Sequence, residues 1–166
     1  MKNLKVAVAV VFYENKIILI KRKKEPFKDL LILPGGKIEQ NEPADQASLR
    51  ELKEETGLEA DKVEYSGHCE EIVFENDQAA YHHDLFVYKI TPKNWVFQSS
   101  KEGETVSLDL IKLQSFKSKI QPTDFLFIKE SIKQNYPFEM KLSVEKHPTG
   151  AYSIIKKELL LSNLPK

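Results

Sequence analysis

Residues 33–58, LPGGKIEQNEPADQASLRELKEETGL, carry the strongest local signal in this chain. Pro34-Gly35-Gly36 ends the short apolar run Leu31-Ile32-Leu33, since proline lacks a backbone donor and glycine admits conformations that other residues avoid. The pattern predicts a helix from about Pro43 to Thr56, with Pro43 in its first turn and Gly57 as its C-terminal cap. At about 100° per residue, with Glu51 at the origin, Glu54 falls at about −60° and Glu55 at about +40°, a sector about 100° wide. Ala44 and Ala47 lie on the same side and leave room for something to approach, while Leu49 and Leu52 lie together on another side and can anchor the helix to a core.

That carboxylate face costs free energy. Glu51 and Glu55 are like charges at i, i+4, and all three acids sit toward the negative end of the helix dipole. Arg50 can pair with Glu54 at i, i+4 and offsets only part of the repulsion. A bound divalent cation would relieve it, and clustered carboxylate oxygens suit Mg2+, or Mn2+. By itself, a Glu-x-x-Glu-Glu spacing is better read as a solvated acidic surface.

Upstream, Leu4 to Tyr13 alternates valine and alanine in a strand pattern, so it reads as a strand and not as a leader. Glu14-Asn15 turns the chain into a second strand, Lys16 to Ile20, giving a hairpin. Downstream, strand-like runs lie near 62–74, 80–90, 95–97 and 105–108. A helix is expected from Pro122 to Gln134 with Phe125, Ile128 and Ile132 on its apolar face. A second hairpin, 138–145 with 151–157, follows around His147-Pro148-Thr149-Gly150. Strands before, between and after two helices indicate an α/β (α+β) fold with a mixed sheet between helices. The chain has 166 residues, of which 41% are hydrophobic and 30% charged. That fits one domain, 1–166, with about 136–166 as a C-terminal extension. Twenty-five basic residues balance twenty-five acidic ones, so nucleic acid is not expected as a partner and neither is an anionic membrane. No apolar run reaches the roughly 20 residues needed to span a bilayer. The single cysteine, Cys69, excludes an internal disulfide, and a cytoplasmic location is expected.

Nine of these residues match one family signature without departure. The Nudix hydrolase box consists of Gly, five residues, Glu, seven residues, Arg-Glu, an aliphatic residue, one residue, Glu-Glu, one residue, Gly and an aliphatic residue. Gly36, Glu42, Arg50, Glu51, Leu52, Glu54, Glu55, Gly57 and Leu58 stand at those positions. The chain up to about Gln134 resembles that family. The resemblance implies a Nudix-like α/β/α sandwich, with the last thirty or so residues as a β-hairpin extension. It also implies a Mg2+-dependent hydrolase that cuts the diphosphate of a nucleoside diphosphate linked to another moiety. A non-catalytic nucleotide-binding or sensor domain and an RNA-end pyrophosphohydrolase are the alternatives, and a homodimer is a candidate assembly. By the same resemblance Glu51, Glu54 and Glu55 are metal ligands, joined by a carbonyl of Gly35 or Gly36. Arg50 and Glu42 orient the loop and helix. The implied catalytic set is Glu51, Glu54 and Arg50, with the general base left open. A further metal-binding carboxylate is sought before the second helix, with Glu104 first and Glu102 second, against the equal alternative that both are solvated loop acids. There is no proline about fifteen residues after Leu58 and no SQPWPFPxS-like segment, features associated with some ADP-ribose hydrolases and with an NADH-cleaving group.

Other residues carry weaker signals. Arg22, in the basic stretch Lys21 to Lys24, suits a substrate phosphate or a solvated strand edge. In His82-His83-Asp84, adjacent strand residues point to opposite faces, which argues against one metal cluster. His82 and Asp84 share a face, and His82, with Gly35 and Arg22, is a candidate for substrate binding. Phe27, Tyr81, Phe86 and Tyr88 suit either a base stack or the core.

Overall fold

The computed structural model describes residues 1–133 and 137–160. The expected helix end at Gln134 lies outside these residues. Strand β1 (Lys2–Tyr13) turns through Glu14-Asn15 into β2 (Lys16–Arg22). The expected hairpin is real but short: only Phe12 with Ile17 and Tyr13 with Lys16 are paired. Below that tip the two strands part. On that side β1 takes the short strand β4 (Gly35–Lys37) antiparallel, and on the other side it runs parallel to β6 (Gln78–Pro92). Strand β2 is flanked by β3 (Leu31–Ile32) and along its whole length by β7 (Gly103–Asp109). The basic end of β2 is therefore a paired strand and not a free edge.

Strand β5 (Ala60–Glu75) lies antiparallel to β6 and parallel to β8 (Phe138–Lys146), and β9 (Tyr152–Leu160) closes that edge. The C-terminal hairpin thus continues the sheet. The expected strand at 95–97 is a loop. Its aromatic residues pack instead of pairing: Trp95 stacks on Tyr13 with ring centroids 5.1 Å apart, and Phe97 meets Trp95 edge-on at 5.6 Å. Aromatic composition reports a half-buried surface, which a packed loop also satisfies.

Alternation along the strands splits the core in two. Val8, Val10, Ile17, Leu19, Leu85 and Val87 face Phe125, Phe127 and Ile128 of α2 (Pro122–Lys133). Ala9, Val11, Ile18 and Ile90 face Leu52 of α1 (Ala44–Thr56). Each fully buried aliphatic side chain contributes roughly 1.5–3 kcal/mol. Of the apolar face expected on α2, Phe125 and Ile128 are buried, joined by Phe127, while Ile132 is 49% exposed. A 3₁₀ helix (Leu110–Lys119), not expected from the sequence, links β7 to α2. Helix α1 begins one residue later than expected, because Pro43 is extended at ψ 143°. It ends as expected, with Gly57 left-handed at φ 78° and its N–H donating to the Lys53 carbonyl at 2.9 Å. Among the described residues no helix is long and apolar enough to cross a membrane.

One half-buried acid joins the two halves. The Leu33 N–H donates to Asp124 Oδ2 at 2.9 Å. Burial pushes the Asp124 carboxyl up to about 7, the Leu33 hydrogen bond opposes this, and the charge of Glu71 adds to it. An acid raised in the folded state holds a proton that the unfolded chain releases from about pH 4 upward. Stability from Asp124 is therefore full below that pH, falls as pH rises to about 7, and is flat beyond. Asp124→Asn should raise the unfolding free energy at pH 8 by an amount on the order of a few kcal/mol and leave it little changed near pH 4. Chemical denaturation at the two pH values measures this, and equal effects at both would refute it.

Candidate active site

The glycine segment lies between β1 and α1. Ala9 N–H donates to the Pro34 carbonyl at 2.8 Å and Ile38 N–H to the Lys5 carbonyl at 2.9 Å. Side chains are excluded here: a Cβ on Gly35 would collide with the Ala7 carbonyl oxygen, and one on Gly36 with the Glu51 carboxylate. Across the gap, Arg50 holds the loop and helix together. Its Nε and Nη2 donate to the two carboxylate oxygens of Glu42 at 2.7 and 3.0 Å. Its Nη1 donates to Glu51 Oε1 at 2.8 Å, and Nη2 also reaches the Lys37 carbonyl at 3.1 Å. The i, i+4 contact with Glu54 is longer, at 3.5 Å. These bonds hold the guanidinium well above its usual pKa, the Glu42 contact most of all, and hold the Glu42 carboxyl below its own. Arg50 thus sits behind the carboxylates as a clamp.

In front of the clamp is a cleft of about 300 Å³, lined by Arg22, Gly35, Gly36, Glu51, Glu54, Glu55, Ser100, Lys101 and Glu102. Glu54 is 60% exposed. Glu55 is buried and accepts the Gly35 N–H at 3.2 Å. Burial pushes its carboxyl up to about 8, the Gly35 bond opposes this, and the charges of Glu51 and Glu102 add to it. Ala47 is fully buried, so the space beside it is filled by the protein and is not open to a ligand.

The structure brings Glu51, Glu54, Glu55, Gly35, Gly36 and Arg22 together, as the sequence suggested. Glu104 is not among them. It lies exposed on β7, paired with Lys21, while Glu102 reaches the cleft and contacts Arg22 at 3.5 Å. The loop before β7 sets this choice: Gln98 N–H donates to the Thr56 carbonyl at 2.9 Å, and Thr105 Oγ1 donates to the Gln98 carbonyl at 2.7 Å. That docks Ser100 and Lys101 as well, and no local sequence signal marked either. Arg22 also donates from Nε to the carbonyls of Lys24 and Pro26, at 3.1 and 2.7 Å. His82 does not line the cleft. Its Nε2 contacts Glu70 at 3.1 Å on the opposite sheet face, and its neighbour His83 takes the cavity side. Phe27 and Tyr81 also line a cavity, whereas Phe86 packs on His68 and Tyr88 on Tyr65.

Among the described residues no three acidic, histidine or cysteine side chains are already arranged to hold a metal ion. Arg50 and the Gly35 N–H occupy carboxylate oxygens of Glu51, Glu54 and Glu55. The donor set nonetheless fits a hard divalent cation, being all oxygen and gathered on one wall of the cleft. Glycine at position 36 lets the Glu51 carboxylate lie against the loop backbone, in the volume that a Cβ would fill. Alanine substitutions should separate fold from site. Gly35→Ala meets backbone and should cost about 1–3 kcal/mol of stability. Gly36→Ala meets a side-chain carboxylate and should cost less stability, while displacing Glu51 and weakening any divalent-metal binding that a titration detects. Thermal unfolding and metal titration of both variants check this, and equal effects on both readouts would contradict it.

Comparison with known proteins agrees with this architecture. Over 49 residues the chain is 53% identical to an ADP-ribose pyrophosphatase of Methanocaldococcus jannaschii, covering 30% of this chain and 29% of that protein. Over 60 residues it is 43% identical to an 8-oxo-dGTP diphosphatase of Escherichia coli, covering 35% and 46%. These matches span less than half the length of either relative. The fold resembles that of the MutT protein of Bacillus halodurans, with a TM-score of 0.75 at 20% identity over 94% of this chain and 97% of that one. Residues 3–131 match the NUDIX domain, and the chain belongs to the Nudix family, whose members generally use divalent metal ions.

Proposed function

We propose that the protein is a Mg2+-dependent hydrolase that cuts the diphosphate linkage of a nucleoside diphosphate joined to another group. The observation that carries this is the cleft, where four carboxylates, Glu51, Glu54, Glu55 and Glu102, face two cations, Arg22 and Lys101. An anionic diphosphate would be repelled from such a cleft unless cations bridged the two. Glu51, Glu54 and Glu55 would hold the metal, with Glu102 at the far wall. When bound, a divalent cation supplies charge neutralisation of the phosphoryl oxygens and a lowered pKa for an attacking water.

The remaining work falls to residues of this chain. Arg50 fixes the Glu51 carboxylate relative to the Lys37 carbonyl. Arg22 and Lys101 offer positive charge to phosphate oxygens on the side away from α1. Ser100 provides a hydroxyl beside them. Relatives named for ADP-ribose and 8-oxo-dGTP hydrolysis support a nucleotide-type substrate. A sensor that only binds nucleotide has no need to gather Glu51, Glu54 and Glu55 on one helix side at a like-charge cost.

Purified protein should hydrolyse at least one member of a panel of nucleoside triphosphates, nucleotide sugars, ADP-ribose and dinucleoside polyphosphates when Mg2+ is added. Glu54→Gln and Glu55→Gln should each lower kcat by on the order of 10²-fold or more, about 2.7 kcal/mol. Metal-free stability should stay the same or rise in both, because like-charge and burial costs are removed. Glu42→Gln should instead lose stability together with rate. Normal Mg2+-dependent turnover by both Glu54→Gln and Glu55→Gln would refute the assignment, and binding without turnover across the panel would identify a sensor.

A further inference from the structure

Two hollows continue from the carboxylate cleft along the α2 face of the sheet. The first, of about 230 Å³, shares Arg22 and Gly35 with the cleft. The second, of about 680 Å³, shares Phe27, Glu71, His83 and Gln121 with the first and ends at Lys146, Gly150 and Tyr152 of the C-terminal hairpin. Its walls carry aromatic rings: Phe27 and Tyr152 lie 4.6 Å apart, and Tyr81 lies 5.9 Å from His83. The volume suits a small organic ligand.

Inside is a fixed hydrogen-bond array. Thr123 Oγ1 donates to Glu71 Oε2 at 2.6 Å, and His83 Nδ1 contacts Glu71 Oε1 at 2.9 Å. A carboxylate can only accept, so opposite the buried Glu71 a neutral His83 ring carries its proton on Nδ1. That fixes the ring and its tautomer. Nε2 then has a free lone pair and no hydrogen-bond partner among the described residues.

We infer that His83, held by Glu71 and Thr123, is a specificity-determining residue that accepts a hydrogen bond from the ring-bearing half of the substrate. That half lies in the 680 Å³ cavity against Phe27 and Tyr152. The inference rests on the carboxylate cleft being the diphosphate site. A diphosphate held near Gly35 and Arg22 directs its organic substituent into the adjoining hollow. Aromatic walls suit a planar heterocycle, and an oriented acceptor suits one with a ring or exocyclic N–H. The C-terminal hairpin, absent from the box and its surroundings, then supplies the distal wall.

Kinetics and binding test this separately from the hydrolase assignment. With the best substrate of the panel, His83→Ala and Tyr152→Ala should each raise KM by on the order of tenfold, with kcat changed by less than about threefold. His83→Gln, which returns a polar group near the Nε2 position, should recover part of the loss. In metal-free protein, AMP or GMP at millimolar concentration should shift the His83 ring resonances in NMR spectra. An unchanged KM in His83→Ala, or no shift at His83 with either mononucleotide, overturns the inference. If wild-type protein hydrolyses nothing, the hydrolase assignment fails and the NMR titration alone decides the role of His83.

Discussion

The backbone of residues 33–37 is gripped from both faces of the sheet. Asp124 of α2 accepts the Leu33 N–H, Glu55 of α1 accepts the Gly35 N–H, and Arg50 donates to the Lys37 carbonyl. Two of these three contacts use carboxyl groups raised by burial, Asp124 to about 7 and Glu55 to about 8. The grip works only because Gly35 and Gly36 carry no side chain, since a Cβ on either would overlap the Ala7 carbonyl oxygen or the Glu51 carboxylate. From this segment the carboxylate cleft opens on one side and the 230 Å³ hollow on the other, and Gly35 lines both.

Within the cleft the charges are graded by depth. Glu54 is largely exposed and well solvated, while Glu55 is buried against the glycine backbone. Arg50 is committed to Glu42, Glu51 and Lys37, so its charge stabilises the frame more than it offsets the acids in front. The residual negative charge is a cost of folding that a bound cation removes. Site and stability are therefore in tension here, as is common where carboxylates are gathered for chemistry.

The α2 face has a different character. Its apolar core of Val8, Leu85, Phe127 and neighbours gives way to a mixed wall of Glu71, Thr123, Gln121 and His83 near the start of α2. There the strands of the sheet centre and the C-terminal hairpin enclose one space. Because β8 pairs with β5 in parallel and β9 closes the edge, Tyr152 is carried back to Phe27 in the loop after β2.

The sequence alone determined what depends on local spacing. The box placed Glu51, Glu54 and Glu55 on one side of α1, Gly57 marked its end through the left-handed backbone it tolerates, and the alternating β1 run marked a strand. Helical and strand periods are properties of the chain itself, so they are readable without a fold. The tertiary structure decided which of several similar residues faces the site. Glu102 reaches the cleft and Glu104 does not, because the 98–102 loop docks on the end of α1. His83 lines the cavity and His82 does not, because neighbouring β6 residues point to opposite faces and only long-range pairing says which face is enclosed. Ser100 and Lys101 were illegible for the same reason. Their position is set by contacts with residues more than forty places earlier in the chain, such as that between Gln98 and Thr56, and no local pattern encodes such a contact.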